Sequence, residues 1–143
     1  MIKMKLVFCI LIVVLVMVSC TSHSLIDEIN DIHISDLDDP ILSWVEANRK
    51  EEGIYIGKII LENSEKYYLH INKQNTMSTT ISDNTERDSF SIEITFHESS
   101  INPFLPTPNP FTLSVTKITT TRPVQYIVLN EERIETSTVE VID

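Results

Sequence analysis

The chain has 143 residues and a formal net charge of −10, with 21 acidic residues against 11 basic ones. Such an acidic chain is repelled by the phosphates of nucleic acids and of anionic lipids, so we expect no nucleic-acid partner. Its two glycines and two cysteines exclude glycine-rich phosphate-binding loops, the G-x-S-x-G elbow of serine hydrolases and a disulfide framework.

The first 19 residues have the pattern of an export signal. Lys3 and Lys5 precede an unbroken apolar run over 6–18, which is shorter than the roughly 20 residues needed to span a membrane. Ser19, a small residue, stands directly before Cys20 at the end of this run. The arrangement resembles the lipobox of bacterial lipoproteins. A signal peptide cleaved at another position and an uncleaved anchor are the alternatives.

The resemblance implies that residues 1–19 are a lipoprotein signal peptide and that the thiol of Cys20 receives a diacylglyceryl group. Two acyl chains anchor a protein stably, because each buried methylene contributes about 0.8 kcal/mol. We therefore expect a protein held in the cell membrane by lipid at Cys20 and facing away from the cytoplasm. Cys9 is lost with the leader, so the mature domain has no thiol for catalysis or metal binding.

Residues 20–39 are predicted to form an acidic tether between the lipid and the domain. This segment contains six acidic residues and no lysine or arginine. It also contains apolar residues, so it is either disordered or docks a short piece on the domain. Asp36, Asp38 and Asp39 lack the glycine and the spacing of a calcium loop, which favours a spacer over a cation site.

A helix opens the folded domain. Asp39 is a good N-cap, and Pro40 suits the first helical position. The apolar spacing that follows predicts a helix over 40–52 with Trp44 as its main packing group. Gly53 stands where a helix usually ends.

The residues after the helix are predicted to form strands. The apolar alternation predicts strands over residues 54–61, 66–72, 76–81, 90–96, 111–115, 124–129 and 133–142. The almost wholly apolar 124–129 is expected to be a central strand covered on both faces. We therefore expect one mainly β (α+β) domain over 40–143, a small antiparallel β-sandwich or half-open barrel with one amino-terminal helix.

Few side chains of this domain are candidates for catalysis or metal binding. His70 is predicted to be exposed, because it faces away from its apolar neighbours on the strand. His97 ends the strand over 90–96 and is expected to be a solvated side chain. A solvated turn is favoured over a weak cation site for three acidic residues: Asp83, Glu86 and Asp88. We predict no catalytic residue, no cofactor and no metal site.

The segment between residues 99 and 110 is stiffened by four prolines, each of which fixes φ. Phe104 and Leu105 are apolar residues within it. A loop of this stiffness loses less conformational entropy on binding than a flexible one. The two side chains either form a partner-binding loop or cap the end of the barrel.

A second resemblance concerns the helix, the following strand and a later pair of strands. The chain is similar to small secreted domains of the PrcB-like class over four short ranges, 44–46, 49–55, 115–118 and 122–128. That resemblance implies a small β-rich domain linked to protease complexes. Residues 75–82 occupy the place of the glycine-glycine-tyrosine turn of that class, so no functional residues are carried over.

The sequence thus predicts a surface-anchored lipoprotein that acts as a non-catalytic binding or protein-interaction module of the cell envelope. Its expected partners are the membrane, through the lipid at Cys20, and an envelope protein. A metal-assisted envelope hydrolase using His70 and His97 is one alternative. A protease-associated accessory protein is the other.

Overall fold

Nine strands and one helix account for most of residues 24–73, 76–86, 89–98 and 113–143, the parts of the chain that a computed structural model describes. The strands are β1 (Ile26–His33), β2 (Gly53–Ile60), β3 (Glu65–Asn72), β4 (Thr76–Glu86), β5 (Ser89–Glu98), β6 (Ser114–Thr120), β7 (Tyr126–Leu129), β8 (Glu132–Glu135) and β9 (Glu140–Val141). The helix is α1 (Asp39–Asn48), and two 3-10 turns cover Ile34–Asp36 and Thr136–Thr138.

The strands form two sheets that pack face to face. One sheet has the order β1-β6-β3-β2-β9 and the other the order β4-β5-β7-β8. Alternating apolar side chains from both sheets meet in the main core, among them Tyr67 and Leu69 from the first and Ile92 and Ile127 from the second. The predicted mainly β sandwich with one helix is therefore confirmed.

Both sheets are mixed rather than purely antiparallel. β9 runs parallel to β2, and β7 runs parallel to β5. The second strand of each parallel pair is entered from the other sheet, β7 from β6 and β9 from β8, and parallel neighbours require such a crossover connection. The stretch predicted as one strand over 133–142 is divided in this way into β8, a 3-10 turn and β9. The predicted central position is confirmed for β7, which lies between β5 and β8, but Ile127 is its only buried residue, so the strand is not fully covered on both faces.

Helix α1 packs on the outer face of the five-stranded sheet. Trp44 and Val45 are buried in a second apolar cluster with Tyr68 from β3. The Trp44 indole lies over Gly57, where a Cβ atom would come within 2.9 Å of the ring. Its Nε1 donates a hydrogen bond of 2.9 Å to Glu140 Oε2. The predicted role of Trp44 as the main packing group of the helix is confirmed.

The helix is shorter than the predicted 40–52. It has Asp38 rather than Asp39 as its N-cap and ends at Asn48. The following residues are held in the connection to β2, because Asn72 Nδ2 donates to the carbonyls of Arg49 and Glu51. Gly53 therefore begins β2 instead of ending the helix.

The segment predicted as an acidic tether belongs to the fold from residue 24 onward. β1 pairs with β6 along its whole length, from the Ile26–Thr120 pair to the His33–Ser114 pair. Leu25, directly before it, is completely buried in the main core. Of the two alternatives for this segment, the docked one is therefore observed. The folded unit begins earlier than the predicted boundary at residue 40.

β4 extends beyond its predicted span of 76–81. It pairs with β5 as far as the Glu86–Ser89 pair, so part of the predicted polar loop is strand. β5 supplies a long antiparallel neighbour, and backbone pairing overrides the polar composition of β4.

The two ends of the five-stranded sheet can be distinguished by the strand directions. We call one end the near end; it holds Ser24, the β2–β3 turn (61–64) and the link 121–125, since Ile26 pairs with Thr120 and Ile60 with Glu65. We call the opposite end the far end; it holds the start of β2, the end of β1 and the start of β6. Eight-residue strands separate the two ends by about 25 Å.

Candidate functional site

The residues proposed for anchoring and partner binding lie outside the described parts of the chain. These residues are Cys20, Phe104 and Leu105. The positions that flank them are described. Ser24 lies at the near end of the five-stranded sheet. The segment that contains Phe104 and Leu105 connects the end of β5 to the start of β6, and β6 starts at the far end.

His70 is completely buried, so the prediction that it is exposed is wrong. It does face away from Leu69 and Ile71, but that face of β3 is covered by the layer that contains α1. Tyr55 stacks on the imidazole with a ring-centroid distance of 6.4 Å and an interplanar angle of 23°.

The imidazole of His70 is held neutral. Burial lowers its pKa and the nearby guanidinium of Arg49 adds to this effect, while the Ser114 backbone opposes it. Neither ring nitrogen has a hydrogen-bond partner of good geometry among the described residues. A buried neutral imidazole of this kind cannot accept a proton without losing stability in the folded state.

The two histidines of the hydrolase alternative are not brought together. His70 lies on β3 of the five-stranded sheet, whereas His97 lies on β5 of the other sheet. His97 is exposed, as predicted, and its Nε2 is 3.5 Å from Thr80 Oγ1.

Asp83 on β4 accepts hydrogen bonds from the start of β1 and the residues just before it. Its Oδ2 accepts hydrogen bonds from Ser24 Oγ at 2.9 Å, from the Leu25 N–H at 2.6 Å and from the Ile26 N–H at 3.4 Å. Burial raises the pKa of the Asp83 carboxyl, but these hydrogen bonds outweigh burial and leave the pKa below its ordinary value. The carboxylate is thus occupied by the protein's own donors. Asp88 lies outside the described residues, as does the side chain of Glu86.

Acidic residues of β1 bind side chains of β6, and two further acidic residues lie at the start of α1. Glu28 forms an ion pair of 3.5 Å with Lys117, and Asp31 Oδ1 accepts a 2.6 Å hydrogen bond from Thr116 Oγ1. Asp38 and Asp39 lie at the amino terminus of α1, where negative charge is favoured by the helix dipole. These acids therefore contribute to strand pairing and to the start of the helix.

A buried polar cluster lies on the inner face of the five-stranded sheet. Tyr67 Oη donates a 2.5 Å hydrogen bond to Glu65 Oε2, and the Val124 N–H donates to the same oxygen over 2.9 Å. Burial raises the pKa of the Tyr67 phenol far above its ordinary value, and the adjacent Glu65 carboxyl adds to the effect. The phenol therefore keeps its proton and serves as a hydrogen-bond donor.

Lys58 and Thr136 complete this cluster, which we call the inner polar cluster (Lys58, Glu65, Tyr67 and Thr136). Lys58 Nζ donates a 2.6 Å hydrogen bond to the Thr136 carbonyl oxygen. Thr136 Oγ1 in turn donates to the Val124 carbonyl over 2.8 Å. The cluster thus links β2 and β3 to two of the segments in which the chain passes between the sheets, the link β6–β7 and the turn β8–β9.

The inner polar cluster contains the residue types of an acid–base site, but its contacts support a structural role. All four residues are buried. The phenol and the ammonium group both donate to neighbouring protein oxygens. The cluster is not among the features predicted from the sequence. A signal was present, because the two-residue period places Lys58 and Glu65 on otherwise apolar faces of β2 and β3.

Two further findings concern the described ranges. No group of three or more His, Cys, Asp or Glu side chains in these ranges could hold a metal ion. In the same ranges, no helix has the length and apolar character needed to cross a bilayer.

Comparison with known proteins gives no relative. No family model matches the chain, and neither a curated protein nor a solved structure is significantly similar to it. The later pair of strands that resembles PrcB-like domains corresponds to β6 and β7, which lie in different sheets.

We expect the stability of the protein to depend on pH through His70. The pKa of His70 is lowered on folding, so the unfolded state binds the proton more tightly. The free energy of unfolding should then fall as the pH drops below about 6.5, by up to about 1.4 kcal/mol per pH unit. Urea denaturation between about pH 5 and pH 7.5 measures this slope.

Substitution His70→Leu should remove most of that slope. The matched control is His97→Gln, which alters an exposed histidine and should leave the slope unchanged. The lowered pKa of Asp83 contributes only at lower pH, because its stabilisation is lost as the pH falls below the ordinary range of a carboxyl. A slope retained in His70→Leu would contradict the assignment.

Tyr67→Phe should destabilise the fold by about 1–3 kcal/mol, because it leaves the buried Glu65 without one of its two donors. Tyr55→Phe is the matched control, since the Tyr55 hydroxyl donates to the Glu51 carbonyl at an exposed position. That change should cost about 0.5 kcal/mol or less. Urea denaturation measures the free energy of unfolding of both variants. An equal decrease in the two variants would rule out a special role for the Tyr67–Glu65 hydrogen bond.

Proposed function

We propose that this protein is a lipoprotein of the bacterial cell envelope whose β-sandwich binds an envelope protein and catalyses no reaction. The observation that carries the proposal is the leader that ends at Cys20, followed closely by a folded domain. Lipid at Cys20 would place the domain on the outer side of the cytoplasmic membrane or beyond it.

The non-catalytic part of the proposal draws on the positions of the chemically capable side chains. His70 is buried and His97 is on the other sheet. Asp83 is hydrogen-bonded to the start of β1, and the members of the inner polar cluster are buried together. None of these arrangements presents an acid and a base at the surface, so no observation favours the metal-assisted hydrolase or the protease-associated role.

The binding part of the proposal concerns the segment with Phe104 and Leu105. It leads into β6 at Ser114, which pairs with His33 at the far end of the sheet. The lipid-bearing residue precedes Ser24 at the near end.

The anchor is tested by expressing the full chain in a bacterium supplied with an alkyne-bearing fatty acid. We expect the label on the wild-type protein and on the control Cys9→Ser, because Cys9 lies within the leader. Cys20→Ser should lose the label entirely. Mass spectrometry of the amino-terminal peptide should show a diacylglyceryl group on the Cys20 sulfur, and an unmodified thiol there would disprove the anchor.

Partner binding is tested by photo-crosslinking from position 104 in intact cells, which should capture a discrete envelope protein. The double substitution Phe104→Ser and Leu105→Ser should then weaken binding to that purified protein by about tenfold or more, as expected when apolar anchors of an interface are removed. Ile29→Ser is the control, because Ile29 is an exposed apolar residue on β1, outside this segment. Equal dissociation constants for the double variant and the control would exclude Phe104 and Leu105 from the interface.

A further inference from the structure

The distance between Cys20 and the folded domain is limited by the chain. Ser24 is already fixed, because its Oγ donates to Asp83 and its carbonyl accepts a 3.2 Å hydrogen bond from Thr121 Oγ1. Leu25, the next residue, is completely buried. Four residue steps from Cys20 to Ser24 span at most about 14 Å. A free tether over the whole of 20–39 would reach several times as far.

The near end of the sheet, where Ser24 lies, exposes apolar side chains. Ile60 at the end of β2 is 58% exposed, and Leu61 in the β2–β3 turn is 40% exposed. These two belong to a small group of large apolar residues that the described surface exposes to this degree. They are adjacent in sequence, where β2 ends and the β2–β3 turn begins. This turn lies at the same end of the sheet as Ser24.

The charges that border this turn are mixed. Glu62 and Lys66 lie within or beside it, and Arg122 is in the neighbouring link, where its guanidinium lies 4.5 Å from the centre of the Phe90 ring. The nearby Glu65 is buried and bonded to Tyr67. The near end therefore combines an exposed apolar pair with charges of both signs, which is compatible with the headgroup region of a bilayer.

We propose that the near end of the sandwich rests on the bilayer that holds the Cys20 lipid, with Ile60 and Leu61 in contact with the headgroup region. This inference rests on the proposed lipid anchor. A linker of about 14 Å is shorter than the domain is tall, so it keeps the near end at a high effective concentration next to the lipid surface. Apolar side chains then gain from entering the interface.

The orientation has a consequence for the rest of the surface. The far end would stand about 25 Å above the lipid surface. β1 would run outward from the bilayer, and its first two acidic residues, Asp27 and Glu28, lie at the near end. Anionic lipid would repel these two acids, so the orientation is expected on lipid without net charge.

The test uses the absence of other thiols in the mature chain, since Cys9 is removed and Cys20 is acylated. Leu61→Cys and Glu52→Cys place one environment-sensitive fluorophore just after and just before β2, at opposite ends of the same strand. Each labelled full-length lipoprotein is reconstituted into phosphatidylcholine vesicles that contain a lipid with a nitroxide near the headgroup. We expect quenching at position 61 to exceed that at position 52 by about twofold or more.

The outcomes separate the orientation from the anchor. Protein that floats with the vesicles but shows equal quenching at the two positions would refute the orientation and leave the anchor intact. Protein that fails to float, with an unmodified Cys20 sulfur, would refute the anchor itself. If Leu61→Cys does not fold by circular dichroism, Asn63→Cys, an exposed position in the same turn, takes its place.

Discussion

The hydrogen bonds of the inner polar cluster connect the five-stranded sheet to two of the segments in which the chain passes between the sheets. Glu65 accepts from the Val124 N–H in the link between β6 and β7, and Lys58 donates to the Thr136 carbonyl in the turn between β8 and β9. These two backbone groups lie outside regular strands, and a buried backbone group without a partner destabilises a fold. The cluster supplies the partners, so it fixes the segments that lead into the parallel strands β7 and β9.

The acidic amino-terminal segment shows how composition alone misjudges the state of a chain. Its charge density is typical of a solvated spacer, yet the buried Leu25 and the half-buried Ile26 and Ile32 supply enough apolar contact for an edge strand. Its acids remain on the solvent side of that edge, apart from contacts such as the Asp31–Thr116 hydrogen bond. Charged residues on an edge strand also discourage pairing with another molecule. The same residues thus serve solubility and sheet formation together.

Local patterns were sufficient to predict the helix, the β2–β3 hairpin, β5 and the interior position of β7. The burial of Trp44 and the shared buried face of Tyr67 and Leu69 can be predicted from near neighbours in sequence alone. The burial of His70 could not be predicted in this way, because periodicity identifies the face of a strand on which a residue lies and not the layer that covers that face. The partners of Lys58 and Glu65 are 78 and 59 residues away. Such contacts, like the parallel pairing of β9 with β2, have no local signature. Cys20, Phe104 and Leu105 stay predictions.

The two-residue strand β9 protects more backbone than its length suggests. β2 would otherwise be an outermost strand, and it is rich in isoleucine. β9 and the following Ile142, whose N–H donates to the Lys58 carbonyl, block the middle of that strand, and Glu140 is held by Trp44. Without residues 140–142, β2 would present an unpaired and isoleucine-rich edge for intermolecular strand addition. This short segment therefore acts as a cover for the sheet as well as a partner for Trp44.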